Sequence, residues 1–196
     1  ITVVSKEAYA YYEALGFKIQ QIPNAIDVES LPKKKEKKYE KQIIFAGRLS
    51  KEKGVGVLLE ICKRLSDDID IIILGAGPEA DKIKDISNSK KNVHFLGYLP
   101  KEKTIPLIRG SDILIQPSLN EGISSTILEA MACKIPIIAT NVGGNVELIE
   151  HNQTGFLVDP NSFSQFLDLI NYVFSNVDKI NLITNNAFVK IHNYDW

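Results

Sequence analysis

Two short stretches of this 196-residue chain carry side chains that could do chemistry on an anionic, hydroxyl-rich ligand. The first is Gly47-Arg48-Leu49-Ser50-Lys51-Glu52-Lys53-Gly54. A planar guanidinium suits phosphate oxygens, and the Lys53 ammonium adds a point charge beside it. The flanking glycines allow the backbone to approach a ligand closely. Arg48 is one of three arginines, with Arg64 and Arg109, in a chain that otherwise uses lysine. The second stretch runs from Glu121 through Gly122, Ile123, Ser124, Ser125 and Thr126 to Glu129 and Ala130. Gly122 to Thr126 reads as a small-residue turn entering a helix, whose free N–H groups favour an anion. Glu129 then falls on the second helical turn, and helical side chains tilt toward the N-terminus, so its carboxylate reaches toward that anion site. Glu121, just before the helix, reaches hydroxyls on the far side. Two carboxylates flanking an anion suit a sugar on one side and a ribose on the other. Taken alone, the first stretch also reads as a polar strand–helix loop, and the second as a capped helix with two exposed glutamates.

Other chemistries find less support. Cys62 and Cys133 stand in apolar sequence without a C-x-x-C partner and read as reduced, buried, small hydrophobes. His94, His151 and His192 lack ligand spacing, so no metal site is expected. Gly75-Ala76-Gly77-Pro78-Glu79-Ala80 satisfies a G-x-G-x-x-A dinucleotide fingerprint, with Pro78 at a first helical position. That fingerprint also expects an acid at the end of the next strand, and Val93-His94-Phe95-Leu96-Gly97-Tyr98 has none, which counts against a nicotinamide oxidoreductase. Lys+Arg 23 against Asp+Glu 24 argues against a chain that coats nucleic acid or an anionic membrane. No apolar run approaches the ~18 residues of a membrane span. Hydrophobic residues at 44% and charged residues at 24% exclude global disorder. Asn152-Gln153-Thr154 is formally a glycosylation sequon and is read as chance.

Something must hold the two stretches together, and the apolar pattern says what. Runs rich in Ile, Val and Leu at Ile43–Ala46, Ile69–Leu74, Val93–Leu96, Ile113–Gln116, Ile135–Ala139 and Phe156–Val158 predict strands covered on both faces. Between them Val57, Leu58, Ile61, Cys62 and Leu65 form one helical stripe, and Phe163, Phe166, Leu167, Ile170, Val173 and Phe174 another. Strand–helix alternation of this kind predicts a parallel, doubly wound sheet. Three strands end in glycine (Gly47, Gly75, Gly97), a fourth runs into Pro117–Gly122, and a fifth into Asn141-Val142-Gly143-Gly144. Ligands of open α/β sheets bind beyond the carboxyl ends of strands, so that edge is the candidate site. Ahead of the sheet, Ile1–Val4, a helix ending near Gly16, and Lys18–Ile22 form a separate strand–helix–strand piece closing on Pro23-Asn24. PKKKEKKYEK, ending at Lys41, has no apolar period and reads as a solvated linker, with a membrane-surface basic patch as the alternative.

At these residues a resemblance becomes explicit. GRLSKEKG, LGAGPE, FLGYLP, IQPSLNEGISSTILEAMACKIPIIAT, GGNVELI and TGFLVDP occur in that order. Together they resemble the C-terminal, donor-binding half of retaining glycosyltransferases of the two-domain GT-B type, family 4 in particular. The likeness runs from about Val3 to the end, includes the linker-like IPNAID, and is most specific in the Glu121 to Glu129 spacing. It implies an α/β chain forming a Rossmann-like doubly wound parallel sheet, one half of a GT-B fold. It also implies that Arg48 and Lys53 bind the donor diphosphate and stabilise charge as the nucleoside diphosphate leaves. Glu121 resembles the donor-sugar ligand and completes the catalytic candidates. Two cations and a helix N-terminus facing the leaving group need no metal, so the nucleotide sugar is the only expected small-molecule requirement on the donor side. Glu129 resembles the ribose-hydroxyl ligand. Backbone groups of Gly122, Ile123 and Ser124 resemble the sugar contacts, with Ser125 and Thr126 toward the phosphates. The Gly97-Tyr98-Leu99 turn resembles the base pocket, and Gly47 and Gly77 complete the donor-binding set. The family commonly has an aromatic residue where Ile123 stands, which bears on sugar preference, and glycine where Lys134 stands, in a surface turn.

The resemblance divides the chain into 1–25, a remnant of an N-terminal acceptor domain; 26–41, a basic linker; and 42–196, a nucleotide-sugar donor domain. The family's acceptor site and its usual catalytic-site histidine lie in that N-terminal domain, so the chain reads as an excised half. The start, ITVVSKEAYAYYE, likewise reads as the interior of a larger protein. Expected partners are the nucleotide sugar, a glycan or lipid-linked acceptor, and the missing domain, with peripheral membrane contact through that domain and no nucleic acid. The expected location is cytoplasmic, at the inner face of the membrane. Polysaccharide, lipopolysaccharide and glycolipid assembly all fit. A non-catalytic nucleotide-binding or regulatory module is the alternative.

Overall fold

The computed structural model describes residues 2–22, 24–32 and 36–194. Ile1 of the first predicted strand, Pro23, the three lysines 33–35 of the basic stretch and the terminal Asp195-Trp196 lie outside the described residues. The chain opens with β1 (Thr2–Val3), α1 (Lys6–Ala14) and β2 (Gln20–Gln21). The two strands pair in parallel, and Ser5 caps α1 by accepting from the Ala8 N–H at 3.2 Å.

The main body alternates strand and helix as far as α7, and a second helix follows it: β3 (Gln42–Ala46), α2 (Val55–Arg64), β4 (Asp70–Leu74), α3 (Ala80–Ser89), β5 (Val93–Gly97), α4 (Lys101–Gly110), β6 (Ile113–Gln116), α5 (Ser125–Ala132), β7 (Ile137–Thr140), α6 (Asn145–Leu148), β8 (Phe156–Val158), α7 (Phe163–Ser175) and α8 (Val177–Ile191). Among the described residues β3 to β8 form one parallel sheet in the order β5-β4-β3-β6-β7-β8. Burial shows why continuous apolar runs were needed. Ile43 and Phe45 join a core under α2, α3 and α7, while Ile44 and Ala46 join a second core under α4 and α5. Successive side chains point to opposite faces, and both faces are covered. The last helix, α8, serves both cores, through Ile180 and Ile183 on one side and Ala187 and Ile191 on the other.

The predicted elements shift at their ends for local reasons. The sixth sheet strand in sequence terms begins at Phe156 as expected, but β7 starts at Ile137 rather than Ile135, because Pro136 has no N–H to donate and contributes only its carbonyl, to Leu114 at 2.9 Å. Pro78 does not occupy a first helical position, since α3 starts at Ala80 with Glu79 as its cap. Lys134 sits at φ 56°, in the left-handed region that favours glycine, in the turn that closes α5. Of the described lysines in the basic stretch, Lys37 and Lys38 are exposed, yet the segment is tied to the body: Tyr39 stacks on His94 at 4.3 Å, and Lys37 pairs with Asp112 at 2.8 Å. No helix among the described residues is long and apolar enough to cross a membrane.

Candidate functional site

The strand order places the site. From β3 the chain proceeds to β4 and β5 on one side and then crosses back to β6, β7 and β8 on the other. This reversal leaves a crevice beyond the carboxyl ends of β3 and β6. The β3–α2 loop forms one wall and the β6–α5 loop the other. The walls meet backbone to backbone, with the Glu52 carbonyl accepting the Leu119 N–H at 2.7 Å. A Cβ on Gly54, whose φ is +71°, would lie 1.8 Å from the Pro117 carbonyl oxygen. Only glycine fits there.

Beside the crevice, the ends of β3, β4 and β5 enclose a cleft of about 330 Å³. Gly47, Arg48, Tyr98, Leu99 and Thr126 line it, so the first predicted stretch, the predicted base-pocket turn and the start of α5 share one cavity. Arg48 is exposed, and its guanidinium forms no hydrogen bond or ion pair with any described residue, while its main-chain carbonyl accepts the Ser50 N–H at 3.1 Å. Thr126 ties the helix start to the sheet, its Oγ1 donating to the Ala46 carbonyl at 3.3 Å. Ser124 is the N-cap of α5 without a side-chain cap bond, and the N–H groups of the first helical turn have no intrahelical acceptor. The end of that helix is electropositive and open to an anion.

Lys53 and Glu121 lie outside the cleft lining, in the adjoining loops. The sequence assigned them separate tasks, but the structure joins them: Lys53 Nζ is 2.6 and 2.7 Å from the two Glu121 carboxylate oxygens. Glu121 Oε2 also accepts from Ser118 Oγ at 2.8 Å and from Gln116 Nε2 at 3.3 Å. Its side chain is 7% exposed, against 27% for Lys53, so the carboxylate is the buried partner. Glu129 is the one charged residue among the buried described residues. Burial lifts its carboxyl above the ordinary carboxylate range, and the Lys101 ammonium at 3.5 Å pulls the other way.

The remaining predicted residues separate by environment. Gly122 and Ser125 are exposed, Ser124 is buried, and the Ile123 side chain packs in the core, leaving only its backbone for a ligand. Gly77 packs against protein: a Cβ there would lie 2.3 Å from the Leu49 carbonyl oxygen. Sequence reasoning missed Thr104, which lines the cleft and donates to the Leu99 carbonyl at 3.1 Å, and the supporting pair Gln116 and Ser118. Polar residues at the end of an otherwise apolar strand, in Gln116-Pro117-Ser118, were the available signal; nothing in Lys103-Thr104-Ile105 distinguishes Thr104. The thiols of Cys62 and Cys133 are pushed by burial to about 12 and about 11, which fits unreactive core residues.

Residues 27–189 match the family described as glycosyl transferases group 1. The chain belongs to this glycosyltransferase family. It is 29% identical over 163 residues to an uncharacterized glycosyltransferase of Methanocaldococcus jannaschii, covering 80% of this chain and 42% of that protein. It is 27% identical over 134 residues to the 2-deoxystreptamine N-acetyl-D-glucosaminyltransferase of Niallia circulans, covering 65% of this chain and 34% of that enzyme. The fold is shared with HepE of Anabaena, solved in complex with UDP and glucose, at a TM-score of 0.86 and 22% identity over 99% of this chain and 58% of that one. The Rossmann-like sheet is thus one half of a GT-B glycosyltransferase fold. The chain spans less than half the length of these two curated relatives.

Proposed function

We propose that this glycosyltransferase chain is the donor-binding half of a retaining enzyme resembling family 4, which moves a sugar from a nucleoside diphosphate to an acceptor hydroxyl. The observation that carries the reading is the convergence of Arg48, the Gly97-Tyr98-Leu99 turn and the uncapped start of α5 on one cleft at the strand-order reversal. A base seats against Tyr98 and Leu99, the ribose hydroxyls reach Glu129, and the diphosphate lies between Arg48 and the α5 start. As the bond from the anomeric carbon to the phosphate oxygen breaks, negative charge grows on that oxygen. An unpaired guanidinium and a helix N-terminus stabilise it without reorganising, and Lys53 adds charge from the adjoining loop. Glu121 and the backbone of Gly122 to Ser124 hold the sugar hydroxyls.

The acceptor side belongs to a second domain outside this chain, so the chain alone binds donor without transferring sugar. Positioning an acceptor hydroxyl beside the donor carbon is worth up to roughly 7–11 kcal/mol, and the closing domain supplies it. The products are polysaccharide, lipopolysaccharide or glycolipid, made on the cytoplasmic side of a membrane. The deciding experiment is calorimetric titration of the chain with UDP, GDP, ADP and their sugars. Saturable binding of one base series supports the reading, and no binding of any overturns it.

A further inference from the structure

We infer that Asn24, which lies in the linker-like IPNAID between β2 and β3 and to which the resemblance assigns no role, is a positioning residue for the sugar end of the donor site. The inference rests on the donor-site reading above. Asn24 Nδ2 donates to the Ile123 carbonyl at 2.6 Å and lies 3.4 Å from Ser125 Oγ. Ile123 sits in the turn between Glu121 and α5, and with its side chain in the core only its main chain faces a ligand. A trans peptide is planar, so the Ile123 carbonyl and the Ser124 N–H point in opposite directions. Holding the carbonyl toward Asn24 therefore holds the Ser124 N–H away from it, at the point where the turn becomes helix.

The other sides of this turn are fixed by different means. Gly144 donates its N–H to the Glu121 carbonyl at 2.9 Å, and a Cβ on Gly144 would lie 2.1 Å from the Gly122 carbonyl oxygen. Thr126 anchors the helix start to β3. Both of those clamps come from the sheet-forming body, whereas Asn24 reaches in from the segment ahead of it. The N-terminal piece touches the same turn a second time, with Val4 Cγ2 3.5 Å from where a Gly122 Cβ would stand. Asn24 thus sets the orientation of one peptide in the 122–124 stretch and leaves the Arg48 cleft and the Thr126 anchor untouched. Its short bond, at 2.6 Å, goes to the sugar side of the turn, and the 3.4 Å contact with Ser125 Oγ on the phosphate side is the weaker one, so its effect falls mainly on the sugar.

Two variants test this. Asn24→Asp keeps the shape but places an acceptor against the Ile123 carbonyl, and Asn24→Ala removes the contact. Each is titrated with the nucleoside diphosphate and the nucleotide sugar that the wild-type chain binds, alongside thermal unfolding. The expected result is a loss of about three- to tenfold in nucleotide-sugar affinity in both variants, the range for one hydrogen bond, with diphosphate affinity held within about twofold. Equal losses for both ligands, or no loss for either, would overturn the inference while leaving the donor site standing. A wild-type chain that binds neither ligand would overturn the donor-site reading itself, before any variant is made.

Discussion

Lys53 and Glu121 form an ion pair across the reversal between β3 and β6, with Nζ 2.6 and 2.7 Å from the two carboxylate oxygens. The cation assigned to phosphate is therefore held by the carboxylate assigned to sugar, and the two predicted functions share one contact. Arg48, on the same loop, has no such partner among the described residues. The two cations should then differ in what their removal costs.

Arg48→Ala is expected to lower nucleoside diphosphate affinity about tenfold or more, since charge-assisted hydrogen bonds are worth roughly 1.5–3 kcal/mol, with no change in folding stability. Lys53→Ala should lower affinity and also cost about 1–3 kcal/mol of stability, because it leaves the Glu121 carboxylate buried beside neutral donors only. Calorimetry and urea unfolding on both variants check this. Wild-type affinity in Arg48→Ala would remove the guanidinium from the site.

The contrast between two glycines on neighbouring turns gives a second expectation. Gly54→Ala places a methyl group 1.8 Å from the Pro117 carbonyl oxygen at φ +71°, where neither backbone can yield cheaply. It should destabilise by at least about 2 kcal/mol and separate the two loops that hold Lys53 and Glu121. Gly56→Ala, two residues on, meets nothing within 4 Å on an exposed turn of α2 and should stabilise by about 1 kcal/mol. Opposite signs in denaturant unfolding are the expected outcome. A neutral Gly54→Ala would mean the loops are not packed as described.

The sheet was legible because a strand buried on both faces must be apolar throughout, and Ile43 to Ala46 or Ile113 to Gln116 can be little else. The ends of β7 and α3 were less so: Pro136 lacks an N–H that periodicity does not register, and Glu79, whose N–H goes to the distant Leu49 carbonyl at 2.9 Å, caps α3 so that the helix starts only at Ala80. Of the site, Arg48 and the α5 start could be read from residue type and local spacing. The Lys53–Glu121 pair could not: the residues are far apart in sequence and meet only because β6 is added on the opposite side of β3 from β4. Asn24 was hidden for the same reason, its partner being a main-chain carbonyl that any residue type could have supplied.

Nucleotide binding is expected to survive chelation. In the proposed donor site the charges facing the diphosphate come from Arg48, Lys53 and the α5 start, and among the described residues no three His, Cys, Asp or Glu side chains gather as metal ligands. Titrations in EDTA and in Mg²⁺ should give affinities within a few-fold of each other. A strict requirement for a divalent ion would mean that these groups do not carry the phosphate charge.

The last expectation concerns Glu129, whose burial opposes its charge. In the unfolded chain its carboxyl titrates in the ordinary range near ~4.3, while in the folded chain burial lifts it higher. Between those two values the folded state holds a proton that the unfolded state has lost. Its contribution to stability is therefore fullest below the ordinary range and is lost as pH rises through the raised folded value. At neutral pH the charge is a standing cost, offset only in part by Lys101, which is 60% exposed and so screened by water. Glu129→Gln should accordingly unfold at a higher temperature than wild type at pH 7, with the difference shrinking as the pH is lowered through the wild-type carboxyl's titration. Ligand binding should move the other way. A carboxylate accepting from ribose hydroxyls is worth roughly 1.5–3 kcal/mol, so the variant should lose about tenfold or more in affinity for the preferred nucleoside diphosphate. The same change should have little effect on an analogue lacking the ribose 2′- and 3′-hydroxyls. A more stable variant with full affinity would place the ribose elsewhere, and a less stable one would show that the Glu129 charge supports the fold instead of burdening it.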